Sequence, residues 1–177
     1  HYGFMFFSEQ NVKSSTYFGN KYTIDFDKFL FIKEINLKTK SKINNAKFAI
    51  RIYDVNEKGE PGQLLHDEPI YGIAKKGKTI TNINLENLKL QLTSNDFFVF
   101  FEPLFINENH YTEKKASGNS MSFYYPSLAM TKYEVNTMWI GSKLDGEQKW
   151  NISDSFVEHD NIDKGYYNYQ IEVILTN

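Results

Sequence analysis

The fold is decided by residues 48–104, which read FAIRIYDVNEKGEPGQLLHDEPIYGI (48–73), AKKGKTI (74–80) and TNINLENLKLQLTSNDFFVFFEPL (81–104). Apolar side chains at Phe48, Ile50 and Ile52 recur at every second residue, which is the period of a strand with one buried face. Turns rich in Asp, Asn, Gly and Pro separate this strand from a short strand, a further strand and an aromatic strand. The order predicts one layer of an antiparallel β-sandwich.

Composition restricts the classes of protein that the chain can belong to. With 177 residues, 41% of them hydrophobic and 24% charged, the chain predicts a single globular domain over residues 1–177. Its net charge is −2 and its lysines are scattered among acids, which argues against a nucleic-acid partner. The absence of cysteine excludes disulfides and thiolate metal sites. No apolar run approaches the roughly 20 residues of a membrane-spanning helix, so we predict no transmembrane segment.

The rest of the chain continues the β pattern, and we predict an all-β, jelly-roll-like, single antiparallel sandwich. Residues 127–135 are the best helical candidate, but they have too few apolar positions at helical spacing and predict only a turn. Residues 106–120 predict a mobile loop. The further strands that we predict lie at 22–26, 29–38, 68–73, 78–84, 96–104, 120–125, 136–141 and 169–175.

The N-terminal stretch HYGFMFF carries apolar residues on both strand faces, including Phe4 and Phe6. One interpretation, which we favour, is an internal strand of the sandwich. The alternative is an extended tail within residues 1–15 that adds itself to the sheet edge of another protein. In that alternative Phe4 and Phe6 are binding residues.

The order of motifs in residues 48–104 resembles the β-sandwich region of Bacteroidota cell-envelope proteins known as carboxypeptidase-regulatory-like-domain proteins, a family of unknown function. The similarity covers about half of the chain, and Pro103 stands where the family pattern has an aromatic residue. The resemblance implies a sandwich fold and a place in the cell envelope or at the cell surface, and it implies no catalytic residue. The matching positions are Arg51, Ile52, Tyr53, Asp54, Gly59, Pro61, Gly62, Leu64, Asn84, Leu85, Phe97, Phe98 and Glu102.

Since the chain begins at His1 without an initiator Met, we expect an exported protein of the periplasm, outer membrane or cell surface. Other envelope or outer-membrane proteins are the expected partners.

Two acidic segments are candidate metal sites, because hard cations prefer clustered oxygen ligands. Asp54, Asn56 and Gly59 have the spacing of the first half of a calcium loop, although a hairpin turn explains the same residues. The later run DSFVEHDNIDKG is the stronger candidate, with a solvated acidic loop as the favoured alternative. Its possible ligands are Asp154, Glu158, Asp160 and Asp163. We predict no cofactor.

Aromatic residues crowd the second half of the chain, and rings with a polar group suit both sugar faces and protein contacts. Neither paired catalytic groups nor a nucleophile elbow is recognisable, so we predict a protein that is not an enzyme. The leading hypothesis is a binding or scaffolding module of an envelope assembly, and the alternative is a carbohydrate-binding module with an aromatic platform. A hydrolase is a third possibility. The candidate binding residues are Tyr124, Tyr125, Tyr166, Tyr167 and Trp139, together with Phe4 and Phe6.

Overall fold

The computed structural model describes residues 2–8, 16–25, 29–114, 118–144, 147–153, 156–159 and 163–177. Within these ranges the helical elements are two 3-10 turns, Glu86–Leu88 and Asn107–Asn109. The strands are β1 Tyr2–Phe7, β2 Thr16–Thr23, β3 Phe31–Ser41, β4 Ala46–Val55, β5 Pro61–Leu64, β6 Ile70–Ala74, β7 Gly77–Asn84, β8 Leu90–Gln91, β9 Asp96–Pro103, β10 His110–Lys114, β11 Ser120–Tyr133, β12 Met138–Leu144, β13 Glu147–Ile152, β14 Phe156–His159, β15 Asp163–Tyr169 and β16 Ile171–Thr176.

These strands form two antiparallel sheets that pack against each other, which confirms the predicted β-sandwich. In sheet I the order is β14-β15-β11-β3-β16, with β1 and β10 also paired to β11, and β7 and β8 also paired to β3. In sheet II the order is β13-β12-β2-β9-β4-β5, with β6 also paired to β4. Each sheet therefore combines strands from both halves of the chain.

The main core lies between the two sheets. From sheet II, Phe97, Val99 and Phe101 of β9 point into it, and the Phe101 ring stacks on Phe48 at 5.0 Å and on Phe7 at 5.8 Å between ring centroids. Sheet I contributes a matching apolar face from β3, β11, β15 and β16. The period-2 pattern of residues 48–52 therefore marks the core face of β4, as the sequence predicts.

Sheet II also buries part of its outer face. We call the residues there the outer aromatic cluster: Tyr17, Tyr53, Phe98, Phe100 and Trp139, with Trp150 packed against them. Two cross-strand pairs explain how flat rings seal a sheet face without a covering layer. Gly19 lies opposite Phe100 and Gly141 opposite Trp150, and a Cβ on either glycine would collide with the ring. The rings therefore lie over the glycines, flat against the sheet.

Two features of the sequence prediction are corrected. The turn predicted at 127–135 is largely strand, because β11 runs to Tyr133 and pairs with β1, β3 and β15 while Leu128 and Ala129 are fully buried. The loop predicted at 106–120 contains β10, which forms a hairpin with β11 in which His110 pairs with Tyr124. The first error arises because pairing with β1, β3 and β15, which are distant in sequence, stabilises a segment whose local pattern is weak, and the second because the polar β10 becomes a strand by pairing with the neighbouring β11.

The N-terminal strand is integral to sheet I. β1 pairs with β11 over most of its length, and Phe7 is fully buried in the main core. This agrees with the internal-strand interpretation and contradicts the alternative in which the segment is a tail inserted into a partner.

In the described residues, no helix is both long and apolar enough to cross a membrane.

Candidate functional site

A cleft of about 550 Å³ opens where the two sheets adjoin. One wall is the end of β2 in sheet II, and another is the turn between β15 and β16 in sheet I. Residues 133–137, which carry the chain from β11 to β12, form its outer side. The cleft therefore combines three segments that are far apart in sequence.

Two buried asparagines fix these segments relative to one another. The side-chain amide of Asn20 donates to the carbonyl of Tyr169 at 2.7 Å, and its oxygen accepts from the Tyr169 N–H at 3.2 Å. Asn168 holds the connection formed by residues 133–137 in the same way. Its side-chain amide donates to the Val135 carbonyl at 2.7 Å, and its side-chain oxygen accepts from the Thr137 N–H at 3.0 Å. Each amide thus replaces a backbone partner, which satisfies buried polar groups where the sheets diverge.

Tyr22 anchors the wall formed by β2. Its hydroxyl donates to the Ile171 carbonyl at 2.7 Å, and its ring stacks on Phe97 at 5.2 Å between centroids. Burial raises the pKa of Tyr22 above the ordinary tyrosine value, which keeps the hydroxyl a neutral donor. The wall is therefore held by both packing and a hydrogen bond.

The outer side of the cleft exposes apolar groups, since Tyr133 is 49% exposed and Val135 is 67% exposed. A second hollow of about 300 Å³ shares Tyr133 and Ile171 with the first and extends across sheet I to Ile80. The two hollows together form one groove, which we call the Tyr133 groove. Exposed apolar side chains in a concave site favour binding of another molecule.

Charged and amide side chains border this apolar floor. At one end Lys21 forms an ion pair with Asp96 at 2.7 Å, and hydrogen bonds from Lys21 and Thr23 lower the pKa of Asp96. At the other end Asn36 donates to Glu172 at 3.1 Å. An apolar centre with a polar rim is the arrangement of a binding surface.

The predicted tyrosine platform does not form a single surface. Tyr166 of β15 pairs with Tyr133, which lines the groove, and Tyr167 pairs with Lys132 beside it. Tyr124 and Tyr125 lie near the other end of β11, where Tyr125 is only 2% exposed and Tyr124 packs on Phe105. The prediction of one platform is therefore wrong. Eight residues of strand separate Tyr125 from Tyr133, a distance of roughly 26 Å.

Trp139 belongs to the outer aromatic cluster of sheet II rather than to the groove. Its ring meets Phe98 edge-on at 5.2 Å and is only 9% exposed. Trp150 belongs to the same cluster and packs on Phe100, with 4.6 Å between the ring centroids. Trp139 is therefore a packing residue and does not provide the open ring face that sugar stacking needs.

Neither calcium candidate is assembled by the described residues. In the β4–β5 hairpin the Asn56 side chain accepts the N–H groups of Lys58 and Glu60, at 2.9 and 3.0 Å, which is turn chemistry rather than ion binding. Gly59 supplies the positive φ of +78°.

In the later acidic run, Asp154 and Asp160 lie outside the described residues. Glu158 and Asp163 lie on the paired strands β14 and β15, where the description covers their backbone only. Across the part of the chain that the structure describes, no three His, Asp or Glu side chains come together as a metal site.

Sequence reasoning missed Tyr133, Val135 and both asparagines. The only signal for Asn20 and Asn168 is an amide among aromatic residues, in FGNKY and YYNYQ, where a strand would otherwise carry apolar groups.

Comparison with protein-family models finds no match, and neither the curated proteins nor the solved structures contain a significant one.

Proposed function

We propose that this protein is a non-catalytic binding module that holds an extended segment of another protein in the Tyr133 groove. The observation that carries the proposal is the half-exposed ring of Tyr133, which lies between two adjoining hollows. An aromatic anchor flanked by hollows suits successive apolar side chains of a peptide. The polar rim suits its backbone and polar groups.

The cell envelope is the proposed location, and scaffolding of an envelope or outer-membrane assembly is the proposed role. Support comes from the resemblance of residues 48–104 to envelope sandwiches. Fractionation of the source cells tests this part by itself. Recovery in the cytosolic fraction would contradict the location and leave the groove proposal standing.

The binding role is tested by substitution in the groove. Native protein is purified from its own cells under mild detergent, and the proteins that remain attached are identified by mass spectrometry. We expect Tyr133→Ser combined with Val135→Ser to release a partner that the wild type retains. Both side chains are substantially exposed, so the folded state should tolerate the changes.

A matched control comes from sheet II. Tyr71 of β6 is 61% exposed and lies away from the groove. Tyr71→Ser therefore removes a similar ring and leaves the groove unchanged. The proposal predicts that this variant keeps the partner. Loss of the same partner in both variants, or in neither, would contradict a specific role of the groove.

A glycan is the second candidate ligand, favoured by the register that sets Tyr166 directly across from Tyr133. Two tyrosines on neighbouring strands can offer ring faces and hydroxyls to a sugar. A glycan array probed with wild type, Tyr133→Ala and Tyr166→Ala tests this candidate. Glycan binding that both substitutions weaken, with no protein retained, would replace the protein segment by a sugar as the ligand.

A further inference from the structure

Aromatic and basic side chains share the outer face of sheet I, in a region separate from the centre of the groove. The ammonium of Lys40 lies 5.5 Å from the ring centroid of Phe4 and 5.2 Å from that of Phe6. The ammonium of Lys78 lies 5.6 Å from the Phe4 centroid. We call these four residues the lysine–phenylalanine patch.

The register of three strands explains why these groups meet. β11 separates β1 from β3, and on the outer face it carries Ser127 opposite Lys40 and Ala129 opposite Phe4. Ser127 and Ala129 are small and fully buried. The phenylalanine rings can therefore extend over them towards the lysines, which places apolar surface and positive charge within one contact area.

The patch extends along β7 and the turn before it. Ile80 follows Lys78 by two residues, so it points to the same face, and it is 70% exposed. Lys75 and Lys76 precede β7 and are also exposed. The whole chain has a net charge of −2, and Glu34 and Glu172 lie near Asn36 on the same sheet, so the lysines make a local positive region around Phe4, Phe6 and Ile80.

We propose that this face docks on a membrane surface that contains anionic phospholipid. Lysines attract lipid phosphates without a fixed geometry, because an ammonium is a compact, hydrated charge. Phe6, which is 40% exposed, and Ile80 enter the boundary between headgroups and acyl chains. A soluble polyanion would use the lysines alone. The exposed apolar groups among them therefore favour the membrane.

Vesicle flotation measures the proposed binding directly. Protein is mixed with vesicles of phosphatidylcholine alone, or of phosphatidylcholine with phosphatidylglycerol, at low and at high salt. We expect binding to the anionic vesicles that weakens as salt is raised. Lys40→Gln with Lys78→Gln should weaken it by about 25-fold, or about fivefold for each lysine near the surface.

A control variant changes charge by the same amount elsewhere. Lys58→Gln with Lys149→Gln removes two exposed lysines from sheet II and its turns, and it should bind vesicles within about twofold of the wild type. An equal loss in both double variants would show that net charge, and not the patch, drives binding, which overturns the proposal.

The apolar contribution is tested with Phe6→Ser and, in case that variant unfolds, with Ile80→Ser. Each should weaken vesicle binding by about fivefold and leave its salt dependence unchanged. The same variants are tested for binding to dextran sulfate, a soluble polyanion. The proposal of a membrane ligand would be overturned if neither apolar substitution changed vesicle binding while dextran sulfate bound through Lys40 and Lys78. The lysines would then be assigned to a soluble polyanion.

Discussion

The two apolar layers of sheet II are built differently. The main core between the sheets has walls on both sides, and its rings, such as Phe101 on Phe48, are enclosed by strands of both sheets. The outer aromatic cluster has a wall on one side only and is closed by its own rings lying over Gly19 and Gly141. β9 shows the contrast within one strand, since Phe100 and Phe101 are both fully buried but on opposite faces.

Burial and enclosure are therefore separate properties of a side chain. A ring beneath another ring can be as dry as a core residue, yet the residue above it is free to move towards solvent. We therefore expect a substitution in the outer cluster to lower the free energy of unfolding less than a matching substitution in the main core does.

Phenylalanine truncation should produce the largest effect and separate the two layers. We expect Phe101→Ala to lower the free energy of unfolding by about 4 kcal/mol, because the main core cannot close around the cavity. Phe100→Ala should cost about 1 kcal/mol less, because the Trp150 ring can settle into the space. Urea denaturation of both variants measures the difference. Equal losses would mean that the outer cluster is as enclosed as the core.

Adding a methyl group to each glycine of the outer cluster should give the next largest effect. A Cβ at Gly19 would meet the backbone carbonyl of Val99 as well as Phe100, whereas the three atoms nearest to a Cβ at Gly141 all belong to the Trp150 ring. We expect Gly19→Ala to cost about 3 kcal/mol and Gly141→Ala about 1 kcal/mol, because a side chain yields more easily than a strand. Thermal unfolding of the pair checks this. A larger loss for Gly141→Ala would show that Trp150 is fixed.

Alkaline pH should distinguish the tyrosines of the two layers. Burial raises the pKa of Tyr53, in the outer cluster, to about 12, so the folded state holds its proton more tightly than the unfolded state, where the pKa is about 10. The stability from this group is complete below about pH 10 and is lost as pH rises through about 12. Burial raises the pKa of Tyr22, which packs against the main core, more strongly.

The measurement is the unfolding free energy at a series of alkaline pH values. Tyr22→Phe and Tyr53→Phe should each flatten its decline between about pH 10 and 12, and only above about pH 12 should the effect of Tyr22→Phe keep growing while that of Tyr53→Phe levels off. The tyrosinate absorbance of Tyr53 should develop before that of Tyr22. Identical pH profiles for the two variants would indicate that the layers shield hydroxyl groups equally.

Ion pairs at the rim of the outer cluster should have the smallest effect. Arg51 and Glu102 are 3.0 Å apart with side chains 20% and 16% exposed, while the Lys21–Asp96 pair is more exposed. A double-mutant cycle with Arg51→Gln and Glu102→Gln should give a coupling of about 1 kcal/mol, and the Lys21–Asp96 cycle about half of that. A coupling near zero for Arg51 would mean that the rings close the cluster without help from the rim.

Much of the fold was predictable from sequence because strand periodicity and turn chemistry are local properties. Phe48, Ile50 and Ile52 mark the core face of β4, and the Asn56–Gly62 segment forms the expected hairpin turn. β11 was predicted only in part. Its continuation through residues 127–133 depends on pairing with strands from other parts of the chain.

The groove was not predictable for a related reason. Tyr133 and Val135 carry no motif, and they form a site only because Asn20 contacts Tyr169, which is 149 residues away in sequence. Of the aromatic residues that the sequence analysis proposed as binding residues, Tyr125 and Trp139 are instead buried by packing.

Strand formation, the position of most turns and the apolar face of β4 follow from local sequence, because each depends on a few consecutive residues. Three other features appear only when the sheets assemble: both faces of β9 are buried, the rings of the outer aromatic cluster lie over glycines, and a groove opens at Tyr133. Those features arise from side chains on strands distant in sequence, whose register is set by the packing of the whole sandwich.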